Sequence, residues 1–241
     1  MTADLWVILP TYNEQDSIEG VLRDWASVLR ATCPSFVLCL LNDGSRDDTS
    51  SVAHGLCAEL PELLIVDKPN SGHGQTCLAG YRLALDSGAR WILQIDSDGQ
   101  CDPSFFPSLW RARDTASTLY GFRRERRDGS LRVLASRLTT VVVWLASGVW
   151  VRDANVPYRL MRREAVAAVE AEVPADFWLA NVLVSVLHEQ RFGIRWTDIV
   201  FRARTGGVPS ARPLAMARRG LELFFQLREY RMRNPLRSTS R

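Results

Sequence analysis

Four short apolar runs, each followed by an amphipathic stretch, organise the first half of the chain. Leu5-Trp6-Val7-Ile8-Leu9 reads as a buried strand. Ile18, Val21, Leu22, Trp25 and Leu29 then recur at helical spacing, which predicts a helix over about 17–29. The alternation repeats with strand 36–41 and helix 48–60, strand 63–66 and helix 75–87, then strand 91–95 and a helix opened by Pro103. Strand–helix units in series call for an α/β fold, a parallel sheet covered by helices on both faces. Beyond about Arg123 the pattern changes. It predicts an apolar helix over 131–150, helices near 163–170 and 177–189, a strand over 194–201 and a basic helix over about 212–231. No Pro/Ser-rich linker separates the halves, so a single domain is expected.

The polar motifs fall at one place in that pattern. Each of the first four strands runs into a cluster rich in Pro, Asn, Asp, Gly or Ser. These are Pro10-Thr11-Tyr12-Asn13-Glu14, Asn42-Asp43-Gly44-Ser45, Lys68-Pro69-Asn70-Ser71-Gly72 and Asp96-Ser97-Asp98-Gly99-Gln100. Any one of them could be a turn and nothing more. In an open parallel sheet, however, ligands bind at the carboxyl ends of the strands, so the four clusters would line one edge of one crevice. Asp96-Ser97-Asp98 is the sharpest signal. In an extended segment side chains two apart share a face, which lets both carboxylates address one ion. Carboxylates are hard ligands for Mg²⁺ or Mn²⁺, which also take diphosphate oxygens. Such an ion would neutralise a departing nucleoside diphosphate.

Composition narrows the class. Hydrophobic residues make up 46% of the 241 and charged residues 24%, a globular balance that argues against extended disorder. A net charge of +3 is too small to mark a nucleic-acid binder. Five cysteines without a C-x-x-C pair indicate neither a disulfide framework nor a zinc site, and suit a reducing cytosol. The first residues lack the pattern of a signal peptide. The longest apolar run, Leu138 to Val151, falls short of the roughly 20 residues of a spanning helix. A cytoplasmic protein is expected, soluble or seated on a membrane surface. The last helix sets Leu221, Leu223, Phe224, Phe225 and Leu227 beside Arg218, Arg219, Arg228, Arg231 and Arg233. That suits peripheral attachment to an anionic membrane, or core packing with a solvated charged face.

Val7-Ile8-Leu9-Pro10-Thr11-Tyr12-Asn13-Glu14, Asn42-Asp43-Gly44-Ser45-Arg46-Asp47-Asp48-Thr49, Asn70-Ser71-Gly72-His73-Gly74 and Asp96-Ser97-Asp98-Gly99-Gln100 resemble glycosyltransferase family 2 in order and spacing. The subgroup they resemble is that of dolichyl-phosphate mannose synthase and the bacterial polyprenyl-phosphate sugar transferases. The resemblance spans about residues 5–210. It implies a GT-A fold, Rossmann-like with a mostly parallel sheet and C-terminal acceptor-side helices. It also implies an inverting reaction, dependence on Mg²⁺ or Mn²⁺, and a UDP- or GDP-linked donor of a hexosyl or N-acetylhexosaminyl group. By the same match Pro10, Tyr12, Glu14 and Asp43, with Gly72 and Gly74, would hold the nucleotide sugar. Asp96, Asp98 and Gln100 would hold the metal and diphosphate. Asn42 stands where an acid is usual.

The second half carries the resemblance further. Gly121-Phe122-Arg123, followed by Arg127, Arg132 and Ser136, is similar to a segment whose arginines face phosphate groups. Phe201-Arg202-Ala203-Arg204-Thr205-Gly206-Gly207 resembles a loop that closes over the donor. Arg123 and Arg204 are therefore candidates for stabilising phosphate charge, and Arg132 and Ser136 join the nucleotide-sugar-binding set. On this reading residues 1–210 form the catalytic domain. Its donor half reaches about residue 122 and its acceptor half runs from about 123 to 210, with a basic helix and tail over 211–241.

Asp176, in Ala175-Asp176-Phe177-Trp178, has two readings: a helix cap, or a general base for the acceptor. A hydroxyl must lose a proton as it attacks, whereas a lipid phosphate is already ionised. The acceptor is read as a polyprenyl phosphate, with a hydroxyl on a natural product, glycan or glycolipid as the alternative. An intact D-x-D opposes a non-catalytic nucleotide-sugar binder. A nucleotidyltransferase needs a Gly-rich basic loop where Pro10–Glu14 stands. His73 lies in the glycine-rich loop, where phosphate contact is open to it. His54 and His188 are expected on helix surfaces, and the histidines show no metal-ligand spacing.

Overall fold

The structure, a computed structural model, describes residues 3–125, 130–203 and 213–234, with side chains described for all of these except 124–137 and 213–217. The four expected strands form, as β1 (Leu5–Thr11), β2 (Phe36–Asn42), β3 (Leu63–Asp67) and β4 (Trp91–Gln94). They pair in parallel in the order β3-β2-β1-β4, with Thr11 opposite Asn42, Asn42 opposite Asp67 and Ile8 opposite Gln94. That register brings all four carboxyl ends to one edge. Every residue of β1 and β2 is buried, the mark of strands covered on both faces.

Three more strands extend the sheet: β5 (Thr118–Glu125), β6 (Arg159–Arg162) and β7 (Arg195–Val200). The full order is β3-β2-β1-β4-β6-β5-β7. β6 runs antiparallel to β4 and β5, and β7 parallel to β5. The pattern of apolar positions predicts only β7 among these. β6 is four residues long with Arg at each end, and β5 is broken by Gly121 and closes on Arg123 and Arg124, so neither shows an apolar run. The reversal of β6 sets Arg159 beside Gln94 and Tyr120, and so places its first residue at the same edge as the four loops.

The helices pack in two sets. One holds α1 (Ile18–Thr32), α2 (Thr49–Gly55) and α4 (Phe106–Ala112), the last following a 3₁₀ turn that starts at Pro103. The other holds α3 (His73–Asp86), α6 (Arg163–Glu170) and α7 (Ala180–Phe192). α3 lies so close on β1 that a Cβ at Gly80 would stand 2.3 Å from Ile8 Cγ2. α5 (Ser130–Ser147) and α8 (Pro213–Arg233) pack against each other. On α8, Leu223 and Leu227 are buried while Leu221, Phe225 and Met232 face out. The expected apolar stripe is thus divided between two surfaces. Among the described residues no helix is long and apolar enough to cross a membrane.

His54 is on the surface, as expected, but His188 is not. It is wholly buried, with Nε2 3.0 Å from the Ala165 carbonyl oxygen and Nδ1 2.8 Å from Tyr120 Oη. Nε2–H therefore donates to Ala165 and Nδ1 accepts from the tyrosine. The sequence misleads here because α7 is apolar almost all round, so a lone His on it follows the helix into the core. Burial, reinforced by nearby Arg159 and Arg191, lowers the pKa to about 3. The unfolded chain, titrating near 6.5, takes up this proton first as pH falls, so stability present above that pH is lost progressively towards pH 3. Urea unfolding should show about 2 kcal/mol less stability at pH 5 than at pH 8 from this group. His188→Gln should lose less over the same interval, and an equal loss contradicts the assignment.

Candidate active site

The first two loops are built as one piece. Asn13, the only non-glycine residue with positive φ among those described (54°), accepts from Arg46 N at 2.8 Å through its side chain, while its own N–H donates to Ser45 Oγ at 3.0 Å. Glu14 N donates to Thr49 Oγ1 at 2.8 Å, and Asp48 N donates to Gln15 Oε1 at 2.9 Å. The β1 and β2 exits are thereby laced together, with Pro10 and Glu14 buried and Tyr12 left exposed between them. An exposed aromatic ring beside a polar rim is suited to stack on a planar base.

Asp43 ties these loops to the third. Its Oδ1 accepts from Ser71 N at 2.8 Å and from the Lys68 ammonium, and its Oδ2 accepts from Gly72 N at 2.9 Å. Lys68 Nζ also reaches the Pro69 carbonyl oxygen at 2.8 Å and Ser71 Oγ at 2.7 Å. Burial alone would raise the Asp43 pKa, but Lys68, Ser71 N–H and Thr76 outweigh it and hold the carboxyl below the ordinary range. Gly72 then turns the chain into α3 at φ 84°, a conformation that favours glycine. Two residues on, a Cβ at Gly74 would lie 2.6 Å from Ala180 N, so the start of α3 touches the start of α7 directly. Sequence reasoning singled out Asp43, Gly72 and Gly74 as candidates but gave Lys68 no role.

The fourth cluster leaves β4 still attached to β1, with Ile95 N donating to the Ile8 carbonyl oxygen at 3.1 Å. Ser97 turns inward and its Oγ donates to the Pro10 carbonyl oxygen at 3.0 Å. The chain bends after it, and Asp96 and Asp98 lie half-buried on either side. Asp96 Oδ1 is buried without a hydrogen-bond partner, with His73 Nε2 3.7 Å away. Asp98 Oδ1 accepts from Gln100 N at 3.0 Å. Gln100 is joined to the exit of β7, its Nε2 donating to the Arg202 carbonyl oxygen at 3.4 Å. Among the described residues there is no group of three or more His, Cys, Asp or Glu that could cage an ion. Two carboxylates, one with an orphaned buried oxygen, fit instead a hard cation that takes its remaining ligands from diphosphate and water.

On the other side of the edge, Arg123 at the end of β5 forms a two-pronged pair with Asp153, at 2.7 Å for both contacts. Sequence reasoning missed Asp153, which belongs to no apolar period and no recognised motif. Asp176 is exposed and lies ahead of α7, whose N-cap position is held by Leu179, so the helix-cap reading is corrected. Gln226 of α8 clamps this stretch, accepting from Trp178 N and donating to the Asp176 carbonyl oxygen, each at 3.1 Å. The side chains of Arg132 and Ser136, and Arg127 and Arg204 entirely, lie outside the described residues.

A mostly parallel sheet whose carboxyl edge collects four polar loops and a pair of aspartates, completed by an antiparallel β6, is the GT-A architecture of glycosyltransferases. The chain belongs to Glycosyl transferase family 2, whose sequence profile matches residues 6–169. The undecaprenyl-phosphate 4-deoxy-4-formamido-L-arabinose transferase of Pseudomonas paraeruginosa (strain DSM 24068 / PA7) is 30% identical over 171 residues, covering 68% of this chain and 49% of that protein. Its counterpart in Shewanella sediminis (strain HAW-EB3) is 27% identical over 166 residues, with the same coverage. The chain thus spans about half the length of these relatives. In three dimensions it resembles glucosyl-3-phosphoglycerate synthase from Mycobacterium tuberculosis, solved with Mn²⁺ and UDP-glucose. The TM-score is 0.65 at 19% identity, over 94% of this chain and 79% of the other. At that identity the likeness establishes the fold.

Removing the Lys68 ammonium strands a buried carboxylate. Lys68→Ala should therefore cost on the order of 3 kcal/mol in urea unfolding. A loss below about 1 kcal/mol, the worth of a surface pair, contradicts this reading of Asp43.

Proposed function

We propose that the chain is an inverting, divalent-metal-dependent glycosyltransferase that moves a sugar from a UDP- or GDP-linked donor to a polyprenyl phosphate. The observation that carries the donor side is the pairing of Asp96 and Asp98 at the end of β4, one with an unsatisfied buried oxygen, on the edge shared with the three laced loops. A solved neighbour of the same fold that was crystallised with Mn²⁺ and UDP-glucose supports a divalent ion and a nucleotide sugar as ligands. Asp96 and Asp98, with Gln100 beside them, would hold Mg²⁺ or Mn²⁺, which when bound supplies charge neutralisation for the diphosphate. Tyr12 and the Pro10–Glu14 turn would take the nucleoside, and the Gly72–Gly74 turn and His73 would border the diphosphate. An acceptor oxygen attacks the anomeric carbon opposite the leaving nucleoside diphosphate. One C–O bond forms as the donor's breaks, and the configuration inverts.

The acceptor side rests on two supports. The curated relatives named above act, by their names, on undecaprenyl phosphate. In addition, Val141, Trp144, Leu145 and Trp150 on or just beyond α5, with Leu221 and Phe225 on α8, are exposed large apolar side chains beside the exposed Arg228 and Arg231. An apolar face flanked by guanidinium groups suits an anionic membrane, where a lipid phosphate would be met. A second reading, a hydroxyl acceptor, is favoured by the exposed Asp176 ahead of α7, a carboxylate available as base.

One experiment separates these readings: vesicles of anionic phospholipid carrying undecaprenyl phosphate, with Mn²⁺ and a panel of UDP- and GDP-sugars. The protein should sediment with the vesicles at low salt and label the lipid. Asp98→Ala, or excess chelator, should abolish labelling. Asp176→Asn should transfer at nearly the wild-type rate, since a phosphate acceptor has no proton to lose. A drop of about 10²–10⁴-fold would mark Asp176 as a general base and favour the hydroxyl reading. No lipid-linked product from any donor overturns the polyprenyl-phosphate assignment.

A further inference from the structure

Asp153 lies in the turn between α5 and β6, away from the four loops that the sequence marks out. It is 4% exposed, and its two oxygens meet Arg123 Nε and one Nη of that guanidinium, each at 2.7 Å. The ring of Phe201, at the exit of β7, lies 5.3 Å from the guanidinium carbon. A guanidinium is planar and carries five N–H donors in a fixed fork. The contact with Asp153 takes up the edge built on Nε, so the opposite edge, built on Nη1, is held in one direction. With Asp153 on one edge and Phe201 beside the plane, Arg123 is constrained in both position and orientation.

The turn that carries Asp153 is itself pinned from below. Arg159, wholly buried at the start of β6, donates to the carbonyl oxygens of Val156 at 2.6 Å and Ala154 at 3.0 Å. Its third contact is the Asn181 carbonyl oxygen on α7, at 2.7 Å. Ser185 Oγ adds a second bond to the Ala154 carbonyl oxygen at 2.8 Å. A buried cation satisfied by main-chain carbonyls fixes backbone, and here the backbone fixed is the two residues on either side of Asn155.

We propose that Asp153 is a positioning residue, which holds the Arg123 guanidinium so that its Nη1 edge receives a phosphate oxygen of the acceptor. This rests on the reading of the acceptor as a polyprenyl phosphate. The test is calorimetric titration with citronellyl phosphate, a short soluble isoprenoid monophosphate. Arg123→Ala should weaken binding about 10- to 100-fold, the worth of a charge-assisted contact, and Asp153→Asn about tenfold. The double variant should bind no more weakly than Arg123→Ala alone, because Asp153 acts through Arg123. Added guanidinium chloride at millimolar concentration should restore binding to Arg123→Ala but not to the double variant, since only the former keeps the carboxylate. A purely structural role for Asp153 would not produce this dependence. Normal binding by Asp153→Asn alongside impaired binding by Arg123→Ala overturns the proposal and leaves the acceptor reading intact. If the wild type does not bind citronellyl phosphate, or Arg123→Ala binds it normally, the acceptor reading fails and the proposal with it.

Discussion

The loops that leave β1, β2 and β3 depend on one buried carboxylate. Asp43 leaves β2 with 3% exposure and gathers a cation and two main-chain N–H groups from the loop that leaves β3. Loops at a strand edge pay conformational entropy to stay ordered, about 1–2 kcal/mol per residue, and have few apolar contacts to offset it. A desolvated acceptor that demands partners supplies a strong local reason for residues 68–72 to adopt one path. That path in turn delivers Gly72 and His73 to the start of α3, 3.7 Å from Asp96 in the case of His73. The chain's single lysine is placed where its loss would expose the whole arrangement. Both Asp43 oxygens are engaged within the protein, so what Asp43 does in this structure is shape the loop.

The far side of the sheet edge repeats the device with the opposite charge. Arg159, fully buried, draws main-chain carbonyls from the turn before β6 and from α7, and its guanidinium carbon lies 5.0 Å from the Tyr120 ring. Tyr120 in turn is hydrogen-bonded to His188, which burial keeps neutral. This connected polar core joins β5, β6 and α7, the elements that bring Arg123 and the Asp176 segment to the edge. Two buried charges, one negative and one positive, thus hold two sets of loops on either side of the β4 exit. Asp96 and Asp98 lie between them, where charge from a diphosphate would accumulate.

Much of this was legible in the sequence because parallel strands are loud. β1 to β4 are continuous apolar runs, and each ends in residues whose backbone chemistry marks a turn, so their shared edge followed from topology alone. The place of Asp96 and Asp98 at the exit of β4 was legible for the same reason. β5 and β6 were not, since short strands interrupted by Gly121 or bearing Arg123, Arg159 and Arg162 show no apolar period. His188 was misplaced by the same logic: the sequence shows a polar residue on a helix, but not the Tyr120 hydroxyl and Ala165 carbonyl that satisfy it inside. Asp153 and Lys68 pair with residues 30 and 25 positions distant, Arg123 and Asp43. Long-range pairs of this kind cannot be read from one sequence without the fold.

The central claim is that the β4 edge holds a nucleoside diphosphate through a cation shared with Asp96 and Asp98. Mn²⁺ electron paramagnetic resonance tests it most directly, by following the free-ion signal as UDP or GDP is titrated into protein and metal. A site completed by diphosphate oxygens predicts weak Mn²⁺ binding alone and strong loss of the free signal, beyond that from nucleotide without protein, once protein and nucleotide are both present. Asp96→Asn should remove that excess. Nucleotide binding of equal affinity in Mn²⁺ and in excess chelator would contradict it.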